Sequence, residues 1–269
     1  MLQTTPRITS PILNDTKHVR ASRKYSLVNT NDIIQAFNAH GYYVDEKTES
    51  GVRVDHNIGK QKHIVMFRHQ DDANVNTGEV FRIFMLNSHN MTTSLMLDVG
   101  LYRFVCCNGI VSSDSTHQPM KFRHDRGDLI ERIHEAIPQV AARAQALGEW
   151  RDAAKSVDLS LVQEYQFANV AARIALRGRD RQINYTGFKQ PLRSADVGQD
   201  LWTVFNKYQE KVLRGGLQYY VDVKRKDKLG REFVQEEQRT TRAIKDPKRI
   251  LTVNKQLSNL MDLTLEHVS

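Results

Sequence analysis

The chain has 269 residues, of which 40% are hydrophobic and 26% charged, with a formal net charge of +8 at pH 7. That balance excludes a disordered chain, and the lack of a long apolar run argues against a helical membrane span. Cys106 and Cys107 are adjacent and are the only cysteines, which excludes a disulfide framework and fits a reducing cytoplasm.

Residues 1–24 carry Arg7, Lys17, Arg20, Arg23 and Lys24 against Asp15, an excess of four positive charges, and read as a flexible basic arm. An ordered segment at 25–28 leads to a helix that starts at Asn29 or Thr30. Ile33, Ile34, Phe37 and His40 form its inner face and Gly41 stops it. Extended chain over 42–54 is followed by strands at 63–69 and 79–88, joined by the loop QDDANVNTG as an antiparallel hairpin. The run 93–113, TSLMLDVGLYRFVCCNGIVSS, reads as a strand, a helical turn and a second strand. Asp98 caps the turn, Leu101, Phe104 and Val105 form its apolar face, and Asn108-Gly109 closes it. Arg103 then sits on a core-anchored turn, where it binds an anion or pairs with a carboxylate.

Further on, 125–147 has helical spacing with a kink expected at Pro138. Ser160-Leu161-Val162-Gln163 is a capping box that opens a helix to about Leu176. Residues 200–214 place Leu201, Phe205, Tyr208 and Val212 on one stripe that ends at Gly215-Gly216. Asp246-Pro247 starts a terminal helix with Ile250, Val253, Leu257, Leu260 and Met261 on its inner face.

The run LNSHNMTTSLMLDVGLYRFVCCNGIV at 86–111 resembles the family catalogued as domain of unknown function 932 (DUF932). The likeness extends to ASRKYSLVNTNDIIQAFNAHGY at 21–42, DLWTVFNKYQEKVLRGGL at 200–217 and RTTRAIK at 239–245. The similarity is to members carried by conjugative plasmids and prophages. It therefore implies a phage or plasmid setting, a mobile genetic element, without naming a reaction.

Positive charge is concentrated. Residues 173–193 have an excess of five and 219–249 an excess of four, so the rest of the chain is net acidic outside these segments and the arm. Clustered Arg and Lys with aromatic rings among them suit nucleic acid, because the cations release condensed counterions and the rings stack on unpaired bases. The candidate contacts are Arg103, Arg177, Arg179, Arg181, Lys189, Lys224, Arg225, Lys226, Lys228 and Arg231, with Tyr185 and Phe188 for stacking. The stretch 219–249 is expected as a flexible hairpin or loop. Asn87, Ser88, His89 and Asn108 form a candidate polar site, with turn stabilisation as the competing role. No H-x-H, H-E-x-x-H or C-x-x-C spacing points to a metal, and neither a P-loop nor G-x-G-x-x-G points to a nucleotide cofactor, so neither is expected.

The expected fold is α+β: a central twisted antiparallel sheet over about 42–124, an N-terminal helix, and a helical C-terminal half packed against the sheet. The domains are expected as an arm at 1–24, an α+β core at 25–150 and a helical region with basic loops at 151–269. The order of elements is loosely like that of ring-forming single-strand annealing proteins, in architecture alone. The expected function is binding of single-stranded DNA by an accessory protein in recombination or annealing, replication or establishment, with no membrane partner and an oligomer left open. Two alternatives stand beside it: a non-catalytic inhibitor of a host defence or replication protein, and a metal-dependent nuclease using His and Asp near 114–125.

Overall fold

The computed structural model describes residues 10–74, 79–103, 111–112, 119–125 and 127–268. They divide between two compact units. The first draws on Met1–Phe104, Gly109–Gly148 and Lys245–Leu251, and the second on Val105–Asn108, Glu149–Ile244 and Thr252–Ser269.

The first unit opens with a 3-10 turn at Pro11–Leu13 and helix α1 at Thr30–Ala39. The Asn29 side chain caps α1 by accepting from the Asn31 amide, and Gly41, at φ +79°, turns the chain out of it. Six antiparallel strands follow: β1 (Tyr42–Glu49), β2 (His63–His69), β3 (Glu79–Asn87), β4 (Leu95–Arg103), β5 (Val111–Ser112) and β6 (Met120–Phe122). Strands β1 to β4 run in sequence order, and β5 and β6 both pair with β4. Helix α2 (Leu129–Ala141) completes this unit's main elements.

Both faces of the sheet are covered, which is why HIVMF and IFML read as unbroken apolar runs. On one face Ile64, Met66, Phe84 and Leu86 form a cluster closed by Met96 and Leu251. On the other, Phe67 stacks on Phe37 of α1 with ring centroids 3.8 Å apart.

The second unit has helix α4 (Leu161–Ala175), strand β7 (Ile183–Asn184), the short helix α5 (Tyr185–Lys189), helix α6 (Leu201–Arg214) and the hairpin β8 (Gln218–Lys226) with β9 (Glu232–Thr240). The three strands form a small sheet in the order β7-β8-β9. Helix α3 (Arg143–Lys155) and helix α7 (Pro247–Val268) each have residues in both units. The capping box at Ser160 and Gln163 is formed at the start of α4. Helix α6 is wrapped on nearly every side: Asn206, Lys207, Gln209, Glu210 and Lys211 are buried along with its apolar stripe. Each finds a partner, among them Lys207 to Glu164, Arg193 to Glu210, Gln209 to Asn254 at 2.7 Å and Lys211 to the Gly187 carbonyl.

Several expectations change. Residues 95–103 are one strand, not a strand running into a helical turn, because the β4 backbone is paired with β3 from Met96 to Arg103. Asp98 therefore caps no helix. It lies buried within the strand, where its carboxylate accepts from the Val99 amide and faces Arg143 at 3.5 Å. The long helix at 125–147 is two helices separated at Ala142, rather than one kinked at Pro138. Of the two forms expected for the second basic stretch, residues 218–240 take the hairpin, as a regular two-stranded ribbon. Within the stretch expected as an arm, Asn14 and His18 are buried. The C-terminal half carries its own sheet in addition to its helices.

Candidate nucleic-acid interface

A hollow of about 630 Å³ opens in the first unit beside β6. Four separate segments line it: Arg20, Ser22, Lys24 and Tyr25 before α1, Met91 to Ser94 with Met96 at the start of β4, Lys121 to Asp125, and Lys248 in the first turn of α7. Five of these side chains are cationic and one, Asp125, is anionic. The local geometry follows from strand alternation. Phe122 points inward opposite Leu95, so Lys121 is turned the other way and is exposed, opposite Met96 in the β4–β6 pair. Arg20, Lys24, Lys121 and Arg123 are exposed and make no ion pair among the described residues. Met91 and Met96 give the hollow an apolar side.

The wall of the hollow continues into a buried polar network. His124 donates from Nε2 to Asn87 Oδ1 at 3.0 Å, and Asn87 Oδ1 also accepts from the Ser88 amide. His63 Nδ1 lies 3.0 Å from the Gln61 carbonyl and so carries a proton there, which leaves its Nε2 to accept from the Thr30 hydroxyl at 2.9 Å. His89 Nε2 lies 3.0 Å from both the Pro11 carbonyl and Thr30 Oγ1, to which it donates. These contacts select one tautomer for each ring. Burial, with a smaller contribution from the neighbouring histidines, pushes the His63 pKa down to about 4 and that of His89 to about 3. His124 is lowered as well, mainly by burial. All three rings are therefore neutral at pH 7.

This network is where Asn87, Ser88 and His89 lie. All three are fully buried, so they form an internal hydrogen-bonded cluster in place of an open polar site. Asn108 lies outside the described residues. The Arg103 backbone is in β4, opposite Glu79, and its side chain lies outside the described set. Among the described residues, no group of three or more His, Cys, Asp or Glu side chains is placed to hold a metal ion. Asp114 and His117 fall outside that set.

In the second unit, Arg177, Arg179 and Arg181 are exposed at the turn that follows α4, with Arg177 at φ +58°. Tyr185 donates its hydroxyl to Asn169 and lies 5.0 Å from Tyr165, whose ring also receives the Lys189 ammonium at 4.6 Å. Phe188 is 3% exposed and packs against Tyr208, which leaves no ring face for a base. On the β8–β9 ribbon, Arg225 pairs with Glu237, Lys226 with Glu232 and Arg231 with Asp227. Lys224 and Lys228 remain exposed without an ion pair among the described residues.

A family model described as "Domain of unknown function (DUF932)" matches residues 17–251. The chain belongs to this family. Among curated relatives, it is 28% identical to "UPF0380 protein YfjQ" of Escherichia coli (strain K12) over 213 residues, 78% of this chain and 76% of that protein. It is 27% identical to "UPF0380 protein YafZ" of the same organism over the same shares. No solved structure matches the chain.

The DUF932 match spans every residue that lines the hollow, from Arg20 to Lys248. In the sequence Arg20 and Lys24 belong to the basic arm and Lys248 to a basic stretch, whereas Lys121 and Arg123 lie outside all three basic segments. The available signal was the K-F-R alternation at 121–123, which puts two cations on one side of a strand and a ring on the other. Nothing local indicated that these segments converge.

Proposed function

We propose that this DUF932 protein binds nucleic acid, single-stranded DNA first, as an accessory protein of a phage or plasmid in recombination or annealing, replication or establishment. One observation carries the reading. Four exposed cations with no ion-pair partner among the described residues, together with Lys248, surround a single hollow that holds one carboxylate. Like charges gathered this way repel one another and lower stability, whereas the ribbon of the second unit pairs most of its cations with acids. A polyanion relieves that repulsion and releases its own counterions on binding. A concave site with an apolar side receives a splayed nucleotide, which a paired and stacked duplex does not present.

Binding of a labelled single-stranded oligonucleotide across a salt series tests the reading. Affinity should fall on a log–log plot with a slope of about −0.7 for each phosphate contacted. An affinity that does not change with salt overturns it.

A further inference from the structure

We infer that the hollow beside β6 receives a nucleoside bearing a phosphate monoester, either the phosphorylated end of a strand or a free nucleotide. This rests on the nucleic-acid reading above and specifies the chemistry of the same site.

Shape and charge together support it. A backbone passing through internally presents one negative charge per phosphodiester, and it needs cations strung along an open track. Here the cations converge on a hollow of about 630 Å³, a size that holds a small ligand. A monoester carries close to two negative charges at pH 7 and three acceptor oxygens, so it concentrates charge where the cations are concentrated. Arg20, Lys24, Lys121 and Arg123 are free to reach those oxygens, and arginine adds the fork geometry that matches a phosphate in two parallel hydrogen bonds. Met91 and Met96 form the side against which the base or sugar lies.

The polar groups behind the cations point the same way. Tyr25 Oη and His124 Nδ1 are buried at the wall of the hollow and have no hydrogen-bond partner. Both residues are more than nine-tenths buried. The Ser26 carbonyl partly offsets the lowering of the His124 pKa, but with the ring proton on Nε2 the Nδ1 atom is an acceptor that a carbonyl cannot satisfy. Burial without a partner is costly for such atoms, and a small shift of either ring as a ligand enters would open them to its hydroxyl or amino group.

The test compares one single-stranded oligonucleotide sequence with a 5′-phosphate, a 3′-phosphate or two hydroxyl ends, by fluorescence anisotropy on the full chain. Unlabelled nucleoside monophosphate serves as competitor. One phosphorylated end should bind about tenfold more tightly than the hydroxyl form, and the monophosphate should remove that advantage. The double substitution Lys121→Ala, Arg123→Ala, with folding checked by circular dichroism, should bring the three oligonucleotides to equal affinity. Equal affinity in the unmutated protein overturns the inference and leaves nucleic-acid binding standing. Binding of the monophosphate without any oligonucleotide supports the pocket chemistry and overturns the nucleic-acid reading. No binding of any of them overturns both.

Discussion

The imidazole of His124 stacks on the ring of Tyr25, with centroids 5.2 Å apart and planes inclined by 28°. The two side chains join the basic hollow to the interior. Tyr25 follows the segment that brings Arg20 and Lys24, and its hydroxyl is raised to about 12 by burial. His124 follows Lys121 and Arg123, and hydrogen-bonds inward to Asn87. Lys121 is thus carried on a strand, and Arg20, Lys24 and Arg123 on short segments next to these two buried rings.

Charge reversal at the hollow should weaken binding without unfolding the protein. Lys121→Glu together with Arg123→Glu is expected to lower affinity for a single-stranded oligonucleotide by more than about tenfold. It should also flatten the salt slope by about 0.7 for each phosphate that the variant no longer neutralises. The control Arg225→Ala lies on the ribbon, where Glu237 already neutralises the cation, and should change affinity much less. Equal weakening in the two variants would move the interface away from the hollow.

Acid should destabilise the first unit in a window set by the histidines. His63 and His89 have folded pKa values of about 4 and about 3, both below the ordinary 6.5, and His124 is lowered too. The unfolded chain therefore binds protons first as pH falls. Stability is complete above about pH 6.5 and is lost progressively below it, by roughly 1 kcal/mol per histidine per pH unit until each folded value is reached. Thermal melts at pH 7.5, 6.5 and 5.5 should show a plateau and then a drop. A melting temperature that holds steady down to pH 5.5 contradicts the buried network.

Glu164→Ala should be among the costlier single changes in the second unit. It removes the acceptor of the buried Lys207 ammonium and of the Tyr208 hydroxyl at once. Breaking a buried pair from one side costs about 3 kcal/mol. Ser160→Ala, which removes only the cap of the same helix, should cost about 1 kcal/mol. Urea denaturation ranks the two, and a change under about 1 kcal/mol for Glu164→Ala would mean that Lys207 escapes to water.

Gly215→Ala should be poorly tolerated and Gly216→Ala less so. Gly215 combines φ +80° with ψ −164°, a region essentially reserved for glycine, and a Cβ there would meet the Thr241 carbonyl oxygen at 2.6 Å. Gly216 also has a positive φ, but a Cβ on it would meet nothing within 4 Å. Expression and melting of the two variants distinguish the clash from backbone strain alone. Equal behaviour of the pair would count against the close approach of 241–243.

Local rules carried a good part of the fold. Helix α1 was legible from Asn29 and Gly41, and α4 from its capping box, because caps act within one turn of chain. Strands β2 and β3 were legible as apolar runs around a loop rich in turn formers. Strand β4 is not legible in the same way: Leu101, Phe104 and Val105 match helical spacing in the sequence, and a short apolar run does not separate a helix from a buried strand. Pairing with β3 decides it, and pairing depends on residues up to 24 positions away.

By itself, then, the amino-acid sequence determined the α+β class, the family, the overall positive charge and most helix starts, all of which depend on composition or on neighbours within a few residues. The three-dimensional packing alone decided which charges come together. It drew Arg20, Lys121, Arg123 and Lys248 around one hollow, paired Arg225 and Arg231 with acids, and buried Asn87, Ser88 and His89. The physical reason is range: electrostatic and packing neighbours are set by distance in space, and here the residues around one hollow lie up to 228 positions apart along the chain, from Arg20 to Lys248.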